Sequence, residues 1–409
     1  MRTPKIVTTI RTYSWKLFAA DLIAGATVAM VALPLSIAIA IASGATPEKG
    51  LVTAIVAGFM ISLLGGSRVQ IGGPTGAFIV VVFGVIVEHG YDGLVLATFM
   101  AGFILLMAGY FRMGNLIAYV PEAVVNGFTI GIGVIITASQ LKDFLGLAID
   151  QVPADFIDKL PILWEARETY SLPSIFVAFT TIGLITFMRR IAPKLPGLIM
   201  AVGIGSALVA VMALPVDTIS SRFGELPRQL PWPKLPDLSA SRLVKLFPSA
   251  IVIALLAGIE SLLSALVADK MIKGQHRPNA ELMAQGAANI SSALFTGLPA
   301  TGAIARTATN IKAGGKTPVA GIVHAVVLLL MMLVTAPLSG HLAMPALAAL
   351  VIIIAWDMTE PHRWGEYARA KVSDKGLLFL TLVLTVLVDL SVAIGVGVSI
   401  GLALRLSKR

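Results

Sequence analysis

The sequence has 409 residues, of which 57% are hydrophobic and 13% charged, with a net charge of +9 and no cysteine. A soluble chain cannot hide that much apolar surface, and disulfides and thiolate metal sites are excluded. Five scattered histidines (His89, His276, His324, His341 and His362) argue against a histidine metal cluster, and the positive balance needs no nucleic acid, because basic residues gather in the cytoplasmic loops of membrane proteins.

The start, MRTPKIVTTIRTYSWK, is basic, but the apolar stretch behind it is too long for a signal peptide and has no cleavage site. It reads as a cytoplasmic tail, residues 1–17. Apolar spans follow near 18–43, 48–65, 74–88 and 93–111, then 121–141, 172–189 and 195–214. A second set runs 247–268, 281–298, 303–313 and 318–338, then 342–356, 375–389 and 391–406. This is the pattern of an all-α polytopic membrane protein with fourteen segments. The polar stretches 142–171 and 215–246 interrupt it. The second, proline-rich in ELPRQLPWPKLPDL, reads as an ordered extramembrane loop. No soluble domain is read before or after the membrane region.

Basic residues orient the chain. The N-terminal tail, MRRIAPK at 188–194, DKMIKGQHR at 269–277 and the final LRLSKR fall on one side, which is placed in the cytoplasm with both termini. Loop 142–171, with six acids against three bases, falls outside. Loop 215–246 also falls outside despite five bases, a dissent weakened by its length.

Spans 74–88 and 303–313 are too short to cross a hydrocarbon layer that needs about 20 helical residues. Each follows a Gly- and Pro-rich turn, GGSRVQIGGPTGAF and FTGLPATGAIAR, and each is the third span of a seven-span half. Paired short segments in corresponding places of two halves point to an inverted-repeat transporter. Such half-helices leave N–H groups free at membrane depth, where two facing N-termini suit an anion. Thr75 and Thr301 add hydroxyls. Arg306 lies in the first turn of the second short helix, where its charge opposes the dipole unless an anion joins it. The competing role for Arg306 is a snorkel to the interface or a pair with a carboxylate. Glu260, in AIVIALLAGIESLLSALVADK, is the second intramembrane charge, with Ser264 one turn on. It suits a proton carrier, or a sodium ligand with Ser264, Thr301 and backbone carbonyls; the alternative is a structural pair with Arg306. Asp389 reads as a helix boundary near the outer surface, and Glu122 and Asn126 as the start of a helix after Pro121. AGGKT lacks the first glycine of a phosphate-binding loop, since Asn310 stands there.

The stretches GLPATGAIARTATNIKAGGKTPVAGIVHA, AGIESLLSALVAD, NAELMAQGAANI, IGGPTGAF, YVPEAVVNGFTIGIGVII and LTVLVDLSVAIGVGV resemble the sulfate permease (SulP) family of anion transporters, also called solute carrier family 26. The resemblance runs from about residue 15 to the end. It implies a 7+7 inverted repeat of the kind shared with uracil-type nucleobase permeases, moving as an elevator. It also implies core parts at 18–111 and 247–340, gate parts at 112–214 and 341–409, and the loop 215–246 between the halves. By position it implies an anion site of Thr75, Gly76 and Ala77 facing Ala303, Ile304, Ala305 and Arg306, walled by Leu35 and Ile39, with Glu260 and Ser264 serving ion coupling. The family usually adds a cytoplasmic STAS domain; none is read here, the sequence stopping at Arg409. The expectation is a proton-coupled symporter of sulfate, bicarbonate or a dicarboxylate, without cofactor, homodimeric in the inner (plasma) membrane bilayer. Alternatives are a sodium-coupled symporter, an exchanger or a passive anion channel. A nucleobase permease fits less well, since a neutral base does not call for Arg306, and an intramembrane enzyme lacks a nucleophile–base pair or metal cluster.

Overall fold

The computed structural model describes residues 3–115, 121–149, 152–153, 156–192 and 196–388, and beyond these 392–393, 395–397 and 399–401. Asp389, Lys194, the final basic run and part of the span 391–406 lie outside the described residues. A short helix α1 (Lys5–Thr9) leads into α2 (Trp15–Ala42), where Ser14 accepts a hydrogen bond from the Leu17 amide as N-cap. Next comes α3 (Pro47–Leu64), with proline at its first position, where a missing N–H costs nothing.

The chain then unwinds. After Leu64 it runs, with bends at Gly66, Arg68 and Val69, into a two-residue strand, β1 (Gly72–Gly73), and a single turn at Gly76–Phe78. That turn continues into α4 (Ile79–Tyr110), which breaks at Gly90 with φ 71° and ψ 174°. The break divides the sequence spans 74–88 and 93–111 as read. From Gly76 to the break the helix is about 20 Å long, less than a crossing.

Helices α5 (Glu122–Leu145), α6 (Phe156–Glu165), α7 (Leu172–Ile191) and α8 (Gly197–Val211) follow. Gly146 ends α5 in the left-handed region, φ 65°. Loop 215–246 is ordered but not wholly loop. It holds α9 (Ile219–Phe223), closed by a capping box between Thr218 and Ser221, and the next helix, α10 (Ala240–Ile272), begins seven residues before the apolar span at 247. Then come α11 (Pro278–Leu294), β2 (Thr301–Gly302), α12 (Ile304–Lys312), α13 (Val319–Ser339), α14 (Met344–Met358), α15 (Trp364–Arg369) and α16 (Val372–Leu387).

Among the described residues seven helices are long and apolar enough to cross a membrane, with 197–211 and 319–334 shorter. The helices form two groups. In one, α11 lies on α4 and α3, α13 on α2 and α3, and α10 on α4 and α12. In the other, α14 and α16 lie on α5, and α7 on α8 and α14; α2 meets both α8 and α14. Backbones approach closely where α4 crosses α11: a Cβ on Gly102 would sit 2.8 Å from the Gly286 carbonyl oxygen, so small residues set the spacing there.

The described residues are mostly helical, with one short strand pair. β1 and β2 pair antiparallel, Gly72 with Gly302 and Gly73 with Thr301. The physical reason is that unwound backbone deep in the protein has no water to bond, so the two lead-in segments satisfy each other.

Candidate functional site

Thr75 follows β1 with extended backbone and occupies the N-cap of the Gly76–Phe78 turn, yet its side chain makes no cap. Its Oγ1 instead donates to Glu260 Oε2 in α10 at 2.9 Å. On the other side Ala303 is the N-cap of α12 and has no side-chain oxygen to offer. Both helix starts are therefore without side-chain caps, and the β1–β2 pair brings them together. The Ala303 amide donates to the Ile71 carbonyl at 2.8 Å, and the Ile71 amide donates to Thr307 Oγ1 at 3.0 Å, which fixes α12 to the lead-in of α4. Free amides and two positive dipole ends converge there.

Arg306 is the third residue of α12 and 1% exposed. Its Nη2 donates to Ser36 Oγ in α2 at 3.0 Å, while Nε and Nη1 find no partner among the described residues. The guanidinium lies over Gly73, where a Cβ would stand 2.3 Å from Nη1. Gly73 has φ 152°, so the position is closed to a side chain both by conformation and by space. Among the described residues no carboxylate forms an ion pair with Arg306. The Glu260–Arg306 pair weighed from the sequence is thus not formed: Glu260 is half-buried and turns to Thr75.

Ser264 is fully buried and lies 3.4 Å from Thr307 Oγ1, joining α10 to α12 rather than to Glu260. Thr301 Oγ1 donates to the Ala257 carbonyl at 2.9 Å. All three side chains sit along one seam, but each has a different partner. Leu35 and Ile39 are buried in α2 beyond Pro34, flanking Ser36. Ala77 and Ala303 are buried, whereas Ile304 and Ala305 are exposed. Gly76 faces the other helix group: a Cβ there would meet Met358 Sδ of α14 at 3.1 Å and Ile136 of α5 at 3.8 Å. Gly76 thus lies where the two groups of helices meet.

Several polar residues of this region were not singled out from sequence. Ser36, Gln70, Ser261, Glu281, Thr307 and His324 are all buried within the first helix group. The available signal was a polar residue inside an apolar or glycine-rich run, as Gln70 in RVQIGGPTG and His324 in VAGIVHAVVLLL. Both His324 ring nitrogens lack a partner among the described residues. A groove of about 410 Å³ lined by Glu122, Asn126, Arg363, Tyr367 and Lys375 contains none of the candidate residues. Among the described residues no three His, Asp or Glu side chains gather as a metal site.

The fold is thus that of a mostly helical membrane protein in which two helix starts, distant in sequence, are joined by a strand pair. The chain belongs to the sulfate permease family, whose model matches residues 18–381. It is 44% identical over 374 residues to the putative sulfate transporter YvdB of Bacillus subtilis, covering 91% of this chain and 70% of that protein. It is 32% identical over 371 residues to the bicarbonate transporter BicA of a Picosynechococcus strain, covering 88% of this chain and 65% of that protein. The solved transmembrane domain of a cyanobacterial bicarbonate transporter BicA matches with a TM-score of 0.83 at 28% identity, over 98% of this chain and 99% of that one. The chain spans 70% and 65% of the length of the two relatives.

Proposed function

We propose that the protein is a secondary active transporter of a small anion, in the sulfate, bicarbonate or dicarboxylate class. One observation carries the reading: two helix starts without side-chain caps, joined by β1–β2, beside an arginine with two buried donors left without partners among the described residues. Buried donors are rarely left so, and an anion supplies what they lack. The names of the relatives, a putative sulfate transporter and a bicarbonate transporter, support the substrate class.

In this reading Thr75, Gly76 and Ala77 face Ala303, Ile304, Ala305 and Arg306 across the anion, and Leu35 and Ile39 wall it. Glu260, held by Thr75, couples transport to a proton or to sodium, with Ser264 nearby. The fourteen segments form a 7+7 inverted repeat. The helix grouping supports a core domain of 18–111 and 247–340 that slides as an elevator past a gate domain of 112–214 and 341–409. The chain works as a homodimer in the inner membrane with both termini in the cytoplasm.

The test is uptake of labelled sulfate, bicarbonate or succinate into proteoliposomes under imposed proton or sodium gradients. Arg306→Ala removes a charge-assisted contact worth about 1.5–3 kcal/mol, so the anion affinity is expected to fall roughly 10- to 100-fold. An Arg306→Ala protein that reconstitutes and transports like wild type overturns the anion site. Glu260→Gln is expected to abolish gradient-driven accumulation while exchange survives.

A further inference from the structure

Glu281 is a fully buried carboxylate that the transport reading does not use. It stands in the first turn of α11 with no cation paired to it among the described residues. Four donors reach it instead. Oε2 accepts from the Gly66 amide at 2.8 Å and the Ser67 amide at 3.3 Å. Oε1 accepts from Ser261 Oγ and from Gln285 Nε2, both at 2.9 Å. All four contacts use the carboxylate as an acceptor, so hydrogen bonds alone satisfy both of its oxygens.

The two oxygens hold two different routes to the same place. Gly66 and Ser67 begin the segment that becomes β1 and ends at Thr75. Ser261 is the residue after Glu260 in α10. The routes close on each other, because Thr75 Oγ1 bonds Glu260 Oε2. A cross-tie lies between them: Gln70 Nε2 donates to Ser261 Oγ at 2.9 Å and to the Ser261 carbonyl at 3.2 Å, and packs against Gly302 of β2. The clamp fits tightly, since a Cβ on Gly66 would stand 2.1 Å from the Arg277 carbonyl oxygen.

We propose that Glu281 is a positioning residue for the transport site: from behind the substrate it fixes both the β1 lead-in and the turn of α10 that presents Glu260. It touches neither anion nor coupling ion. The inference rests on the transport reading above, and it adds a residue, with its Ser261 and Gln70 ties, on which the geometry of that site depends.

Glu281→Gln and Ser261→Ala test it in proteoliposomes. Glu281→Gln keeps the shape but turns one acceptor into a donor facing donors. Ser261→Ala cuts the α10 arm, together with the Gln70 bond to the Ser261 hydroxyl, and leaves the Gly66 clamp in place. Each is assayed for anion KM, for maximal rate per folded transporter and for thermal stability in detergent. Loss of a supporting hydrogen-bond partner is expected to raise KM roughly tenfold in Glu281→Gln and by a smaller factor in Ser261→Ala, with Glu281→Asp restoring part of the loss. A KM unchanged in both, or a fall only in rate and stability at constant KM, overturns the positioning role. If Glu281→Gln does not fold, the KM of Ser261→Ala decides alone. Absence of anion transport by the wild-type protein in the same vesicles strikes the proposed function instead, so the two failures are distinguishable.

Discussion

Replacing Gly302 by alanine tests the inner strand pair directly. The new methyl would stand 1.5 Å from Gln70 Nε2, 2.6 Å from its Cδ and 3.1 Å from Ser261 Oγ, so the Gln70 amide must leave. Gln70 is 5% exposed, and water is not at hand to replace its two bonds to Ser261. Leaving a buried amide unpaired costs about 1–3 kcal/mol, and forcing a methyl into a filled space costs about as much again. The expected loss is about 4 kcal/mol of unfolding free energy, measured by denaturant titration in mixed micelles. Gln70→Ala alone loses the same bonds. In the double variant the bonds are lost only once and no amide obstructs the methyl, so the two effects should fall short of additive by about 4 kcal/mol. Additive effects, or a Gly302→Ala protein as stable as wild type, would refute the packing of Gln70 beneath β2.

Thr75→Val keeps the volume of the side chain but removes the hydroxyl that donates to Glu260, and is expected to lower gradient-driven uptake roughly tenfold, with Thr75→Ser close to wild type. Equal uptake in the two variants would show that the bond is dispensable. Just before α2, burial and then the charge of Asp21 push the Tyr13 phenol up to about 12. A phenol whose folded pKa is raised from 10 holds its proton more tightly in the folded state, so its contribution is intact below pH 10 and is lost as the pH climbs to about 12. Melting temperatures across that window should therefore fall more steeply for wild type than for Tyr13→Phe, and parallel curves would count against the contact.

The apolar spans were legible because lipid demands long runs without charge, and Pro121, Gly146 and Pro278 mark helix ends in the usual chemical ways. The two short helices were legible for the same reason, as runs too brief to cross beside glycine-rich turns. The pairing of Gly72–Gly73 with Thr301–Gly302 was not, since glycines carry no alternation by which a strand is read and the partners lie far apart in sequence. At the site, Arg306 and Glu260 stood out as charges in apolar surroundings. Of their partners, Ser36 is a small hydroxyl of a kind found throughout the chain, and Thr75 was read as facing the anion; only the tertiary structure pairs them with Arg306 and Glu260. The Ser264 hydroxyl shows the limit of helical spacing: one turn from Glu260 places it on the same face, but its bond goes across to Thr307. Glu281 was hidden in a different way. It lies in the first turn of a helix, where an acid is ordinary capping chemistry, and nothing local marks it as buried.

The central claim is that one anion sits between the starts of two helices that are far apart in sequence. The chain has no cysteine of its own, so Thr75→Cys and Ala305→Cys can each be placed alone and their reaction with a small charged thiol reagent followed. Transported anion is predicted to slow labelling at both positions with the same half-maximal concentration, and that concentration should rise at least about tenfold when Arg306→Ala is added. Protection at one helix start only, or at both but indifferent to Arg306, would contradict a shared anion site.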